Sequence, residues 1–332
     1  MDLNGYALGD GNALISVIIV AFNRRNFLLS ALNSVLNQTI DRKEYEIIVI
    51  KNYTDDEMDN YLIRNNVKLL YSTEKKYGKK VVQAIRMCKG EVISFLDDDD
   101  LFSENKLNHV KDIFVHNPNI FLYKNFRTLV SHSPIDNKTI KRFNWEKKYI
   151  ISLGKVIYGD KLPRLYELRK YWLPFNNSSM TIRKSKLTDM HLELISNINI
   201  AFDICLFFLS LSIEDGVLVD DFGLTQYRIH GKNSTSSSNT DTVFKTIEDY
   251  RNIHLYFGKN VNNMVNKLFT SLYVIEKMRV ANSFNDPTVL EGDEIGYSLK
   301  MIKNLGLNYD NLKIIAYAML YAIKTAVRFT FR

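Results

Sequence analysis

Four consecutive aspartates, Asp97, Asp98, Asp99 and Asp100, follow the apolar run Val92–Leu96 without a break. Adjacent carboxylates repel one another, and four are hard to keep ionised together without a cation. A hard divalent ion, Mg²⁺ or Mn²⁺, resolves the conflict, because it takes oxygen ligands and keeps water or phosphate in its other positions. Helix capping is the competing use of such acids. It accounts for one or two of the four, and Ser103 offers a cap of its own. A phosphatase of the DxDx type would carry its nucleophile after the first strand, where this chain has Phe22, Asn23 and Arg24. Neither GxxxxGK[ST] nor GxGxxG occurs, so a P-loop or dinucleotide fold has no motif support. A metal at the fourth strand of a nucleotide-type sheet suggests a diphosphate leaving group.

The elements that must carry this cluster alternate through the first hundred residues. Residues 15–21 (ISVIIVA), 46–50 (EIIVI), 67–71 and 92–96 (VISFL) are short, continuous apolar runs, and we read them as strands, most of them buried on both faces. Between them, 26–37, 55–65 and 79–89 have helical spacing, and Gly90 is expected to stop the third helix. Such alternation predicts an open, mostly parallel α/β sheet flanked by helices. Ligands of these sheets bind beyond the carboxyl ends of the strands, which nominates 22–24, 51–55 and 97–100.

Further along, a helix is expected over 103–116, one or two short strands over 120–130, a strand at 180–182, a helix over 204–211, and short strands at 217–219 and 224–229. Residues 131–175 have weak periodicity and are read as an irregular, acceptor-side loop. The stretch 231–241 (GKNSTSSSNTD) has linker composition, so a boundary is placed near 235, with a helical region after it. The composition is globular, with 46% hydrophobic and 24% charged residues. Two separated cysteines, Cys88 and Cys205, exclude a disulfide framework and point to a reducing compartment. The net charge of +7 permits phosphate-bearing ligands without selecting one, and no nucleic-acid module is recognisable. No signal peptide or spanning helix is read, so a cytoplasmic location is expected.

The segments ISVIIVAFNR (15–24), SVLNQT (34–39), EIIVIKNYTDD (46–56), KGEVISFLDDDDLF (89–102), AFDICLFFLSL (201–211) and YRIHGKNST (227–235) together resemble the family 2 glycosyltransferases, in order and spacing over 14–235. The resemblance implies the GT-A (nucleotide-diphospho-sugar transferase) fold with a helical C-terminal extension, and a division into a transferase domain, 1–235, and a helical region, 236–332. It implies inverting transfer of a sugar from a nucleotide-diphosphate donor to an acceptor hydroxyl, with Mg²⁺ or Mn²⁺ at the DxD element. Asp97 and Asp99 match the two acids of that element, with Asp99 the direct metal ligand and Asp97 or Asp98 nearer the donor. Ala21, Phe22 and Asn23 match the first donor-contact turn. Asp203 matches the general base, although it also stands where it would cap the helix that follows. His230 falls where a late metal or diphosphate contact is placed, or is an ordinary strand-end histidine. Asn177 and Ser178 match the acceptor-side strand.

The chain departs from the family at the second strand end, where Lys51 and Asn52 replace an acidic pair. The first of those acids commonly reads a uracil base, and lysine cannot accept a hydrogen bond. Base recognition would then fall to Asn52 or Asp55. An Arg-Asn pair before the DxD strand is also missing, and Lys79 and Lys80 are placed to neutralise the diphosphate instead. Those departures keep open a second class of function, a catalytically inactive nucleotide-sugar-binding protein of the same fold. Residues 311–332 carry Lys324, Arg328 and Arg332 four apart on an apolar segment, with Lys313 ahead of them. Such a segment suits peripheral contact with an anionic membrane face, or a core or dimer helix with a basic edge. The membrane reading would go with a lipid-linked acceptor, and a glycan is the other acceptor class.

Overall fold

Strand β1 (Ile15–Ala21) is buried at every position, because it lies in the middle of a sheet covered on both faces. Its side chains alternate between two separate apolar clusters. Ile18 and Val20 join one, while Val17, Ile19 and Ala21 join the other. Strands β2 (Tyr45–Lys51) and β4 (Val92–Asp97) divide in the same way, so a continuous β-branched run serves two cores at once. The computed structural model describes residues 14–22, 25–131, 144, 147, 156–157, 173–213, 216–230, 240–261 and 264–284.

Among those residues one nine-stranded sheet runs in the order β3-β2-β1-β4-β8-β6-β9-β5, with β7 paired to β9. Here β3 is Lys68–Tyr71, β5 is Leu101–Phe102, β6 is Leu122–Ser131, β7 is Val156–Ile157, β8 is Met180–Arg183 and β9 is Val217–Ile229. The four strands β1 to β4 pair in parallel, β8 is antiparallel to both its neighbours, and β6 returns to a parallel pairing with β9. The mostly parallel sheet flanked by helices is the one the sequence predicts.

Helices α1 (Arg25–Leu36), α2 (Asp56–Arg64) and α4 (Lys106–His116) cover one face. The other face is covered by α3 (Tyr77–Met87), α5 (Asp189–Ser196), α6 (Phe202–Ser212), α7 (Thr240–Asn260) and α8 (Met264–Phe284). Phe257 of α7 and Phe269 of α8 stack edge-on at 5.4 Å, and Phe269 meets Phe208 of α6 at 4.9 Å. The last two helices therefore share a core with α6.

Three local expectations change. Gly90 does not end α3, which stops at Met87 when Cys88 turns extended. Gly90 is small for a different reason: a Cβ there would stand 2.7 Å from the backbone nitrogen of Ser16. Ser103 does not cap α4 with its side chain; the hydroxyl donates to the Gly223 carbonyl at 3.1 Å, and α4 starts at Lys106. The two short strands expected after 216 are one strand, β9, which runs on through Asp220–Gly223 with register shifts against β6. Asn23, most of 131–175, residues 231–239 of the linker and the basic segment 311–332 lie outside the described residues. No helix among the described residues is long and apolar enough to cross a membrane.

Candidate active site

Parallel pairing brings the strand ends level. Ala21 lies opposite Lys51, and Val20 lies opposite Asp97. The turns that leave β1 and β4 therefore open onto the same edge of the sheet, where a cleft of about 920 Å³ lies. Phe22, Tyr77, Lys80, Asp97, Asp99, Asp100, Asn176, Asn177 and Asp203 line its inner part. Residues more than a hundred positions apart in the chain thus meet in one place.

One carboxylate oxygen from each of Asp97, Asp99 and Asp100 lies within 4.8 Å of the other two. Burial and the neighbouring charge of Asp99 push the Asp100 carboxyl up to about 6, against bonds from Ser178, Asn176 and the Arg228 N–H. Two buried acids side by side, one of them held reluctant to ionise, fit a cation between them. Asp98 is fully buried, and its Oδ2 accepts the Phe22 N–H at 3.3 Å, which ties the turn after β1 to the turn after β4. Asp97 accepts from the Tyr77 hydroxyl at 2.8 Å and from the Asn177 amide at 3.3 Å. His230 Nε2 lies 3.0 Å from Asp99 Oδ2, so it braces the cluster from the end of β9.

The loop before β8 closes the cluster from behind. The Ser178 hydroxyl accepts the Asp97 N–H at 3.0 Å and also bonds to Asp100. Asn176 sits at φ 84, a backbone region that costs a residue with a Cβ. That geometry lets its backbone N–H reach Asp203 at 3.0 Å while its side-chain amide reaches Asp100 at 2.8 Å. Two buried lysines hold this loop: Lys106 donates to the Ser178 carbonyl, and Lys124 donates to the Phe175 carbonyl at 2.9 Å and the Ser179 hydroxyl at 2.8 Å. Burial holds the Lys106 amine well below the usual lysine range.

Asp203 stands in the first turn of α6, with Oδ1 accepting the Ile204 N–H at 2.8 Å. Burial raises its carboxyl, opposed by the backbone N–H groups of Asn176 and Ile204. A raised carboxyl facing a cleft is suited to accepting a proton. On the other wall, the Lys80 ammonium lies 3.5 Å from the centre of the half-exposed Phe22 ring. Burial lowers Lys80 to about 8, against the pull of Asp98.

Of the residues singled out from sequence, Phe22, Lys80, Asp97, Asp99, Asn177 and Asp203 line this cleft. Asn52 and Asp55 do not; Asp55 caps α2 by accepting the Met58 N–H at 3.2 Å. Lys51 is fully buried in an ion pair with Asp59, its ammonium 4.7 Å from the Tyr53 ring. Sequence reasoning passed over Tyr77, Asn176 and the ligand geometry of Asp100. Asp100 was visible in the quartet, whereas Tyr77 and Asn176 carry no local signal, since their partners lie 20 and 76 residues away.

The family model described as "Glycosyl transferase family 2" matches residues 16–186, about half of the chain. An uncharacterized glycosyltransferase of Rickettsia bellii is 24% identical over 283 residues, which are 82% of this chain and 37% of that protein. A second, from Rickettsia conorii, is 26% identical over 67% of this chain and 34% of its own length. The chain thus spans about a third of these relatives. The poly(ribitol-phosphate) beta-N-acetylglucosaminyltransferase TarP of Staphylococcus aureus is 33% identical over a shorter stretch, 28% of this chain and 30% of that protein. Among solved structures, S. aureus TarS 1-349 in complex with UDP-GlcNAc superposes with a TM-score of 0.57 at 15% identity, covering 93% of this chain and 90% of that one. That likeness shows a shared GT-A fold. With the family model spanning the strands and turns that build the cleft, the chain belongs to glycosyl transferase family 2.

Proposed function

We propose that the protein transfers a sugar from a nucleotide-diphosphate donor to an acceptor hydroxyl, with inversion and with a divalent metal. The single observation that carries this reading is the placement of Asp203 in the same cleft as the triad Asp97, Asp99 and Asp100. The triad supplies oxygen ligands only, which suits Mg²⁺ or Mn²⁺ over a thiolate-seeking metal. Asp97, Asp99 and Asp100 would hold the ion, with His230 orienting Asp99 from outside. A bound ion of this kind neutralises charge on a departing diphosphate. TarS was solved with UDP-GlcNAc, and TarP is named as a transferase of the same sugar, which supports a nucleotide-sugar donor here.

The chain's own residues then divide the work. Lys80 meets the diphosphate, and the Phe22 ring offers a face to the base. Tyr77 and Asn177 fix Asp97. Asp203 takes the proton from the acceptor hydroxyl as that oxygen attacks the anomeric carbon. A single displacement by one base inverts the anomeric centre. The acceptor is a glycan or a lipid-linked molecule, and the donor and metal residues fall within 1–235.

One observation favours the rival reading, nucleotide-sugar binding without turnover: both oxygens of Asp203 already accept backbone N–H groups. The N-cap position of α6 is Ala201, so Asp203 is not the cap its place in the sequence suggested, but an acid that only ties the first turn of α6 to the loop before β8 needs no more than these two bonds. The two separate in one experiment. A panel of sugar nucleotides is offered with Mn²⁺, and nucleoside diphosphate release is followed for the wild type and D203N. Release by the wild type, with donor binding kept but transfer lost in D203N, supports the enzyme. Transfer retained by D203N removes Asp203 as the base.

A further inference from the structure

Asp249 is a fully buried acid on α7, beyond the segment that the family model matches. Among the described residues no lysine or arginine bonds it. Its Oδ1 accepts the Asn199 N–H at 2.6 Å and the Asn199 side-chain amide at 2.9 Å. Its Oδ2 accepts the Ile200 N–H at 2.8 Å and the Ala201 N–H at 2.9 Å. One carboxylate thus holds three successive backbone amides, a nest for an anion filled from within the chain. An acid placed there without these donors would be costly to bury, and the turn without the acid would have buried N–H groups to satisfy.

The turn so held lies between the two halves of the cleft. Its carbonyls at Asn199 and Ile198 accept the N–H groups of Tyr77 and Gly78, at 3.0 and 2.9 Å. These are the first residues of α3, and the Tyr77 hydroxyl bonds Asp97. There is no slack at this contact: a Cβ on Gly78 would stand 1.7 Å from the Ile195 carbonyl oxygen. At its other end the turn runs into Ala201, which stands at the N-cap position of α6, and Asp203 follows two residues later. The spacing between Asp97 and Asp203 therefore passes through backbone that Asp249 fixes.

We propose that Asp249 is a positioning residue for the transfer step, holding the Asn199–Ala201 turn so that Asp203 faces the acidic triad. The assignment rests on the transferase reading above. It makes α7, whose Lys245, Glu248 and Tyr250 line the same cleft, a working part of the site. Asp99 and Asp100 are held by His230, Asn176, Ser178 and the Arg228 N–H, which lie outside the turn, so these candidate metal ligands keep their places when the turn loosens.

The test uses the full chain, with D249A and D249N beside the wild type. D249A removes all four acceptor contacts. D249N keeps the shape and one acceptor oxygen, so it retains the fold if D249A does not. Three quantities are read: kcat for transfer, donor KM, and hydrogen exchange at the amides of residues 200, 201 and 204. The expected result is a kcat loss on the order of 100-fold in D249A, a misplacement effect, and a smaller loss in D249N. Donor KM stays near the wild-type value, and exchange accelerates at all three amides. An unchanged kcat in folded D249N with accelerated exchange overturns the proposal. So does a loss in which kcat and donor affinity fall together in step with the melting temperature, which marks a purely structural role. If the wild type releases no nucleoside diphosphate from any donor, the transferase reading fails on its own account. The exchange data then bear only on the turn: protection unchanged in the variants overturns the hold of Asp249 on it, and protection lost at 200, 201 and 204 together supports that hold, while the role in transfer falls with the transferase reading.

Discussion

Asn176 donates its backbone N–H to Asp203 at 3.0 Å and its side-chain amide to Asp100 at 2.8 Å. The candidate base and the candidate metal cluster are thereby joined through one residue at φ 84. N176G keeps the backbone geometry and removes the amide. N176A removes the amide and keeps the strained Cβ that glycine sheds. N176A should unfold at lower denaturant than N176G by about 1 kcal/mol, and both should transfer sugar more slowly. Denaturant melts and diphosphate release check this, and a less stable N176G would refute the strain argument.

Metal removal should stop turnover. Chelation is expected to abolish nucleoside diphosphate release, and added Mn²⁺ or Mg²⁺ to restore it. In thermal melts, Mn²⁺ with donor should raise the wild-type midpoint, because a ligand of the folded state stabilises it. D99N should lose that rise. H230A should keep part of it, since His230 bonds the candidate ligand Asp99 and lies outside the triad.

Lys80 gives the pH dependence. Its folded value, about 8, lies below the ordinary 10.5. The unfolded chain therefore binds more protons between those values, and the contribution of Lys80 to stability grows as pH rises through that window. Donor binding runs the other way. Below about 8 the ammonium is charged and attracts a diphosphate; above it the charge is lost and affinity falls. Titrating donor affinity across this range at fixed Mn²⁺ should show the fall in wild type. K80R stays charged and should flatten it. A wild-type profile that is already flat would exclude Lys80 from the diphosphate site.

Lys106 should prove structural. It is fully buried, donating to the Ser178 carbonyl and to the Thr225 hydroxyl at 3.0 Å. K106M keeps the stem and takes one donor from each of those oxygens, leaving the Thr225 hydroxyl on the Ser178 carbonyl and the Asn125 amide on Thr225. The expected loss is about 2 kcal/mol in chemical denaturation. A loss below measurement error would mean that the loop before β8 holds itself.

The sheet was legible because its central strands are continuous apolar runs, and a run buried on both faces can lie only inside a covered sheet. The quartet after β4 was legible for the opposite reason, since four like charges at one strand end need an outside explanation. Local pattern misled at Gly90, where a glycine after a helix looked like a stop signal and is instead a close approach to β1. It was silent on Asn176 and Asp249, whose roles come from partners 76 and 50 residues away. Asp249 sits in a helix of ordinary polar composition, and nothing within that helix marks it. Asn52 and Asp55 were singled out by position at a strand end; neither lines the cleft, and Asp55 is occupied in starting α2.

The ion pair between Lys51 and Asp59 has a bearing on how this protein can change. Lys51 is wholly enclosed, and Asp59 of α2 is its counter-ion. Replacing Asp59 alone strands the Lys51 ammonium in the interior, which costs about 3–5 kcal/mol, whereas Asp59 without Lys51 still reaches solvent and accepts from the Tyr71 hydroxyl and the Asp55 N–H. Asp59 therefore cannot change while Lys51 stays, and an acid put at position 51 would face the Asp59 carboxylate, so it calls for a change at Asp59 as well. Repertoire at that strand end is guarded by a residue one helix away.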